Sequence, residues 1–208
     1  MIWWIVSIGV VLAALVLFAA LQNRLASARV RVEGAFSQID VQLARRHDLV
    51  PQLVETVRAA MAHERETLER VTLARTRAAA SLASASARTP GDLAATERAL
   101  GEAVGTLVAR LEAYPDLKSH ENVLALQEAL VTTENRVAFA RHAYNDAVVR
   151  LNEVRTTFPT NLLASLLAYE AGELLDWPDD AIATPPTLAV DGAATTEGGD
   201  RDGEGAIA

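Results

Sequence analysis

Residues 121–158, ENVLALQEALVTTENRVAFARHAYNDAVVRLNEVRTTF, decide the fold class. Val123, Leu130, Val137, Tyr144, Leu151 and Phe158 stand seven apart, and Leu126, Thr133, Ala140, Ala147 and Val154 fill the seam between them. A repeat of seven lays one narrow apolar stripe along a helix with a slight left-handed supercoil. The stretch therefore predicts a long helix that buries one face. Leu130, Val137, Tyr144 and Leu151 belong in the core, while Glu128 and His142 belong on the opposite, solvated face.

Outward from there, three more stretches repeat apolar residues every three or four positions. The first holds Leu25, Val32, Phe36, Ile39 and Leu43. The second holds Val50, Val54, Val57, Met61, Leu68 and Val71, with alanines continuing towards Leu82. The third holds Leu93, Leu100, Val104, Leu107, Leu111 and Tyr114. Prolines punctuate them. Pro51 disfavours helical geometry at Val50, and Asp48 can cap the helix that follows. Thr89-Pro90 offers an N-cap with proline at the first helical position. Tyr114-Pro115-Asp116 and Phe158-Pro159 end the third and fourth stretches. The apolar spacing runs almost in phase from Leu43 to Val50, so a kinked continuous rod is the alternative at Pro51. A reversal is preferred there, because four faces close a core better than three. The prediction is an all-α chain with an antiparallel up-and-down four-helix bundle over residues 24–177. Asn161 to Tyr169 would add one short helix. Composition agrees: half of the chain is hydrophobic but only 5% is aromatic, which suits aliphatic helix faces and argues against a β-sandwich.

Met1 to Leu21 carries no charged side chain. About 20 residues at about 1.5 Å each cross a hydrocarbon layer of about 30 Å, so residues 1–23 read as a transmembrane anchor and residues 1–21 as its lipid contact. Trp3 and Trp4 suit a membrane interface. A cleaved signal peptide would want a basic leading segment and a shorter apolar run, and neither is seen. Arg24, Arg29 and Arg31 follow the span, which by the positive-inside rule places the bundle in the cytoplasm and the N-terminus outside a cell (inner) membrane.

The net charge of −8 is concentrated at one end. From Pro178 to Ala208, Arg201 faces seven acidic residues, a balance of −6 that leaves −2 for the body. Residues 178–208 are expected to be a disordered acidic tail, too polar to offset their ordering entropy. A nearly neutral body without a basic patch gives no reason to expect a nucleic-acid partner. The absence of cysteine excludes disulfides, thiolate metal sites and a cysteine nucleophile.

Reaction motifs are missing. A di-iron carboxylate bundle needs Glu-x-x-His, yet Ala44, Ala60, Leu117 and Phe139 precede His47, His63, His120 and His142 by three. His63-Glu64 leads to Thr67 where an H-E-x-x-H helix has its second histidine. The four histidines are read as surface residues, with no metal or other cofactor expected. No phosphate-binding loop or nucleophile elbow occurs. Glu66–Arg70 and Asp146–Arg150 have the spacing of i,i+4 ion pairs. Two polar groups stand out: Asp40, Arg45, Arg46, Asp48 and Glu55 around Pro51, and Glu134, Asn135, Arg136, Arg141, Asn145 and Asp146 in the fourth stretch. They read as a partner-binding surface or a buried polar network, against the plainer reading of a solvated face with capping.

Those groups lie in motifs that resemble the LemA family of bacterial membrane proteins. AFSQIDVQLARRHDLVPQLVETV at 35–57 carries the resemblance, as do AYPDLKSHENVLALQEAL, TENRVAFARHAYNDAV and FPTNLLA within 113–164. Phe36 stands where the family commonly has tryptophan, and Gln22 where tyrosine is common. The resemblance implies one N-terminal span followed by an antiparallel bundle, and it supports a reversal near Asp48. It implies no reaction, cofactor or catalytic residue, and related domains in magnetosome-membrane proteins fit assembly or scaffolding. The expected function is a membrane-anchored, non-catalytic interaction or scaffold module. Its partners would be the bilayer and an unidentified protein, with a homo-oligomer open. The alternatives are a sensor on the outer face of the membrane and, last, a metal-dependent hydrolase.

Overall fold

The computed structural model describes residues 1–86 and 90–175. Six helices make up the described chain: α1 (Ile2–Arg58), α2 (Arg65–Ser84), α3 (Leu93–Leu111), α4 (Pro115–Lys118), α5 (Glu121–Thr156) and α6 (Thr160–Leu166). The class is all-helical, as expected. The division into four stretches is not. The N-terminal apolar run, the first stretch and the start of the second are one unbroken helix of 57 residues. The reversal comes at residues 59–64, not at Asp48, and Asp48 is an interior residue of α1 rather than a cap.

The physical reason lies in a hydrogen bond from elsewhere in the chain. Pro51 has no N–H, so the carbonyl of His47, four residues back, loses its helical donor. Arg75 of α2 supplies the missing one: its Nε donates to the His47 oxygen at 3.0 Å. With the carbonyl satisfied, nothing forces the helix to end, and Val50, Leu53, Val54 and Val57 continue the buried stripe beyond the proline.

α1 and α5 pack along one another in opposite directions. At one end Leu25 meets Val154; in the middle Phe36, Ile39 and Leu43 meet Val137 and Tyr144; at the far end Val54 and Val57 meet Val123 and Leu130. The rings of Phe36 and Tyr144 meet edge-on with centroids 5.8 Å apart. α2 and α3 have 20 and 19 residues, little more than half of α5 with 36, so they cover mainly the far part of the α1–α5 pair. The predicted seam of α5 is buried at Leu130, Val137, Tyr144 and Leu151, and Glu128 and His142 are exposed. Phe158 departs from the heptad because α5 ends at Thr156, and its side chain is exposed.

The short helices come where prolines allow. Pro115 stands at the start of α4, and Pro159 immediately precedes α6. α3 begins after Asp92, while the Thr89 cap and the acidic tail fall outside the described residues. Of the two anticipated i,i+4 pairs, Glu66–Arg70 forms at 2.9 Å, whereas Arg150 reaches Glu153 at 3.3 Å.

Candidate functional site

Before Gln22, α1 exposes nearly everything it has. Residues 1–20 are exposed throughout, including Trp3, Trp4, Ile8, Leu12 and Phe18, and this run is long and apolar enough to cross a membrane. The first buried side chain is Leu25. The helix therefore changes surroundings within one turn, at Leu21 to Leu25.

Farther along the same helix, Arg46 and His47 turn inward and are almost wholly buried. Glu97 of α3 answers both. His47 Nε2 lies 2.7 Å from Glu97 Oε1, and Arg46 Nη1 lies 3.4 Å from Glu97 Oε2. Arg46 extends its other amino group to Glu134 of α5, Nη2 to Oε2 at 3.1 Å. Arg75 of α2 joins through the His47 carbonyl. One polar node thus ties together α1, α2, α3 and α5. The Glu97 side chain is 0% exposed, so its charge is tolerable only because each carboxylate oxygen has a cationic or hydrogen-bonding neighbour.

The sequence-selected residues divide accordingly. Arg46 and Arg141 are buried, and Glu134 and Asn145 are half-buried. Asp40, Arg45, Asp48, Glu55, Asn135, Arg136 and Asp146 are exposed, with Glu55 held by Arg58 at 2.7 Å. His47 corrects the reading of all four histidines as surface residues: it faces the core because Glu97 offers it a partner there. Glu97 was not selected at all, since its partners stand 50 and 51 positions earlier.

Asn145 has a different task. The chain after α6, residues 167–175, lies against α5, held by two asparagines seven residues apart. Asn152 donates to the Gly172 carbonyl at 3.1 Å and accepts from the Gly172 N–H at 3.0 Å. Asn145 does the same for Leu175, both bonds at 2.9 Å. Seven helical residues rise about 10.5 Å, and three extended residues span about 10 Å, so the spacings match. Tyr144 adds a bond from its hydroxyl to the Glu173 carbonyl at 2.9 Å. Its phenol pKa is raised above the usual 10.0, first by burial and then by the Glu173 carboxylate. Gly172 approaches α5 closely: a Cβ there would stand 3.0 Å from a Val148 methyl, which would have to give by a few tenths of an ångström.

Among the described residues, no group of three or more histidine or carboxylate side chains is placed to hold a metal ion.

The two motif regions that carry the family resemblance thus meet at the node, Arg46 and His47 from one and Glu134 from the other. The LemA family model matches residues 35–189, well over half of the chain. The chain belongs to the LemA family. It is also similar to two curated proteins of Paramagnetospirillum magneticum (strain ATCC 700264 / AMB-1), Magnetosome protein MamQ 1 and Magnetosome protein MamQ 2. Each is 34% identical over 73 residues, 35% of this chain and 27% of the relative. The match thus spans about a quarter of the length of those relatives. Family and apolar helix together make this a membrane-associated helical protein.

Proposed function

We propose that this LemA-family protein is a membrane-tethered, non-catalytic scaffold that presents a rigid helical body to protein partners. One observation carries the reading: α1 passes without a break from a bare apolar segment into a stripe buried by α5. A flexible linker would let an anchored domain wander, whereas a continuous helix holds it at a set height and angle. The long helices act as one antiparallel bundle, locked in register by the Arg46–His47–Glu97–Glu134 node. Residues 1–21 lie in the cell (inner) membrane, and Arg24, Arg29 and Arg31 favour a cytoplasmic bundle with the N-terminus outside. The similarity to magnetosome proteins fits service at a membrane.

The exposed polar residues, Arg45 and Asp48 on α1 with Arg136 on α5, are the partner-facing part of the predicted clusters. Site-specific photocrosslinking in cells tests them. Discrete adducts from positions 45 and 136, absent from position 142 on the solvated face of α5, are expected. The same diffuse background from all three positions would refute a partner-facing role. The second reading, a sensor on the outer face, rests on the opposite topology. A periplasm-only reporter fused after Ala208 should be inactive; activity there would favour the sensor. Stoichiometric metal in the purified protein would instead revive the hydrolase.

A further inference from the structure

The end of the body nearest the apolar segment carries an apolar surface that no other described residue covers. α5 runs antiparallel to α1, and its Val154 already stands beside Leu25. The chain that follows therefore extends past Leu25 towards the apolar part of α1. There α6 folds back against α1, burying Thr160, Leu163 and Ala164, with Leu21, Leu25 and Tyr169 around them. The opposite side of the same turn-and-helix exposes Phe158 at 74%, Leu162 at 65% and Leu166 at 77%. Leu162 and Leu166 stand four apart on α6, so they share a side, and Phe158 lies in the turn that leads into it.

A short helix with one face in the core, and large apolar side chains bare both on its other face and in the turn before it, is unusual for a water-facing surface. Its position explains it. Leu21 and Leu25 mark the boundary of the bare apolar segment, and Arg24, exposed between them, puts a cation at the height where anionic headgroups lie. We propose that Phe158, Leu162 and Leu166 insert into the headgroup and upper acyl region of the bilayer, giving the body a second membrane contact beside its anchor. Apolar faces of interfacial helices sit about 5–10 Å into that boundary. The second contact fixes rotation about α1, which a single span leaves free. This inference rests on residues 1–21 crossing the membrane.

The chain has no cysteine, so single labels report without interference. The test places a nitroxide through Leu162→Cys, Leu166→Cys, Val16→Cys or Leu124→Cys in the full chain, reconstituted in vesicles of phosphatidylethanolamine and phosphatidylglycerol. All four positions are exposed, so the labels leave the core intact. Collisions with oxygen, which concentrates in lipid, are compared with collisions with a water-soluble nickel chelate. The expected oxygen-to-nickel ratio at positions 162 and 166 is several-fold above that at position 124, which lies at the far end of the body, and approaches that at position 16. Ratios at 162 and 166 equal to that at 124, with 16 in lipid, overturn the second contact alone. Labels at 162 and 166 shielded from both reagents would mean a protein occupant, such as a second copy of the chain, and overturn it as well. A water-like ratio at 16 overturns the anchor itself.

Discussion

Two stretches of one helix, residues 2–21 and 25–57, use nearly the same aliphatic side chains to opposite ends. The first leaves every leucine and valine bare before position 21; the second hides Leu25, Val32, Ile39, Leu43, Val50 and Val57 against α5 and α2. What separates them is arrangement. The first stretch is apolar all round, as a helix in lipid must be, whereas the second is apolar on one stripe and charged elsewhere. The second stretch also holds the only buried ionisable side chains of α1 among the described residues, Arg46 and His47. Burial of a full apolar stripe by neighbouring helices, reinforced by a compensated polar node, is what sets the second stretch apart from the bare one.

The comparison predicts a ladder of effects on the stability of the body, read from denaturant midpoints. Glu97→Ala should be the most damaging, costing about 3–5 kcal/mol, because it strands His47 in the core and leaves buried Arg46 with Glu134 alone. A loss under about 1 kcal/mol would mean that water reaches the node. Leu43→Ala should cost about 2–5 kcal/mol through lost transfer energy and the cavity left behind, as should Leu130→Ala. Arg75→Ala should cost about 1–3 kcal/mol by orphaning the His47 carbonyl, and combining it with Pro51→Ala, which restores the helical N–H, should recover most of that loss. A double variant no better than Arg75→Ala alone would show that the proline does not need its rescuer. Leu12→Ala, in the bare stretch, should change the stability of the body by less than about 0.5 kcal/mol. A larger change there would erase the contrast between the two stretches.

The smallest effect concerns pH. Because the Tyr144 pKa is raised in the folded chain, its contribution is fully present below the unfolded value near 10.0 and is lost as pH rises through the folded value. Stability should therefore fall at strongly alkaline pH in the wild type and fall less in Tyr144→Phe. An identical alkaline decline in both would place its cause elsewhere.

Much of this was legible in local patterns. The apolar run to Leu21 is continuous, and the α5 repeat is strict, so the exposed segment and the buried Leu130, Val137, Tyr144 and Leu151 follow from spacing alone. What escaped depended on partners distant in the chain. Pro51 looks like a helix breaker until Arg75 is seen donating to the His47 carbonyl. Glu97 looks like one more solvated carboxylate until α3 carries it to Arg46 and His47. Phe158 keeps the heptad phase but not the helix, because α5 ends two residues before it. The candidate clusters contain Arg46 and Glu134, two members of the node, but not its other pair, His47 and Glu97. The spacing of Asn145 and Asn152 is visible, but its meaning requires the segment after α6 that reaches Leu175.

The central claim is that α1 is one helix from the bare apolar segment to the far end of the body, straight through Pro51. The most direct test is the distance between nitroxides at positions 20 and 55, introduced by Ala20→Cys and Glu55→Cys in the full chain held in lipid nanodiscs. Both positions are exposed. Thirty-five helical residues span about 53 Å, so the account predicts a single narrow distribution near that value. A reversal at Asp48 would bring position 55 back beside the forties of α1, at about 33 Å, and that result would contradict it.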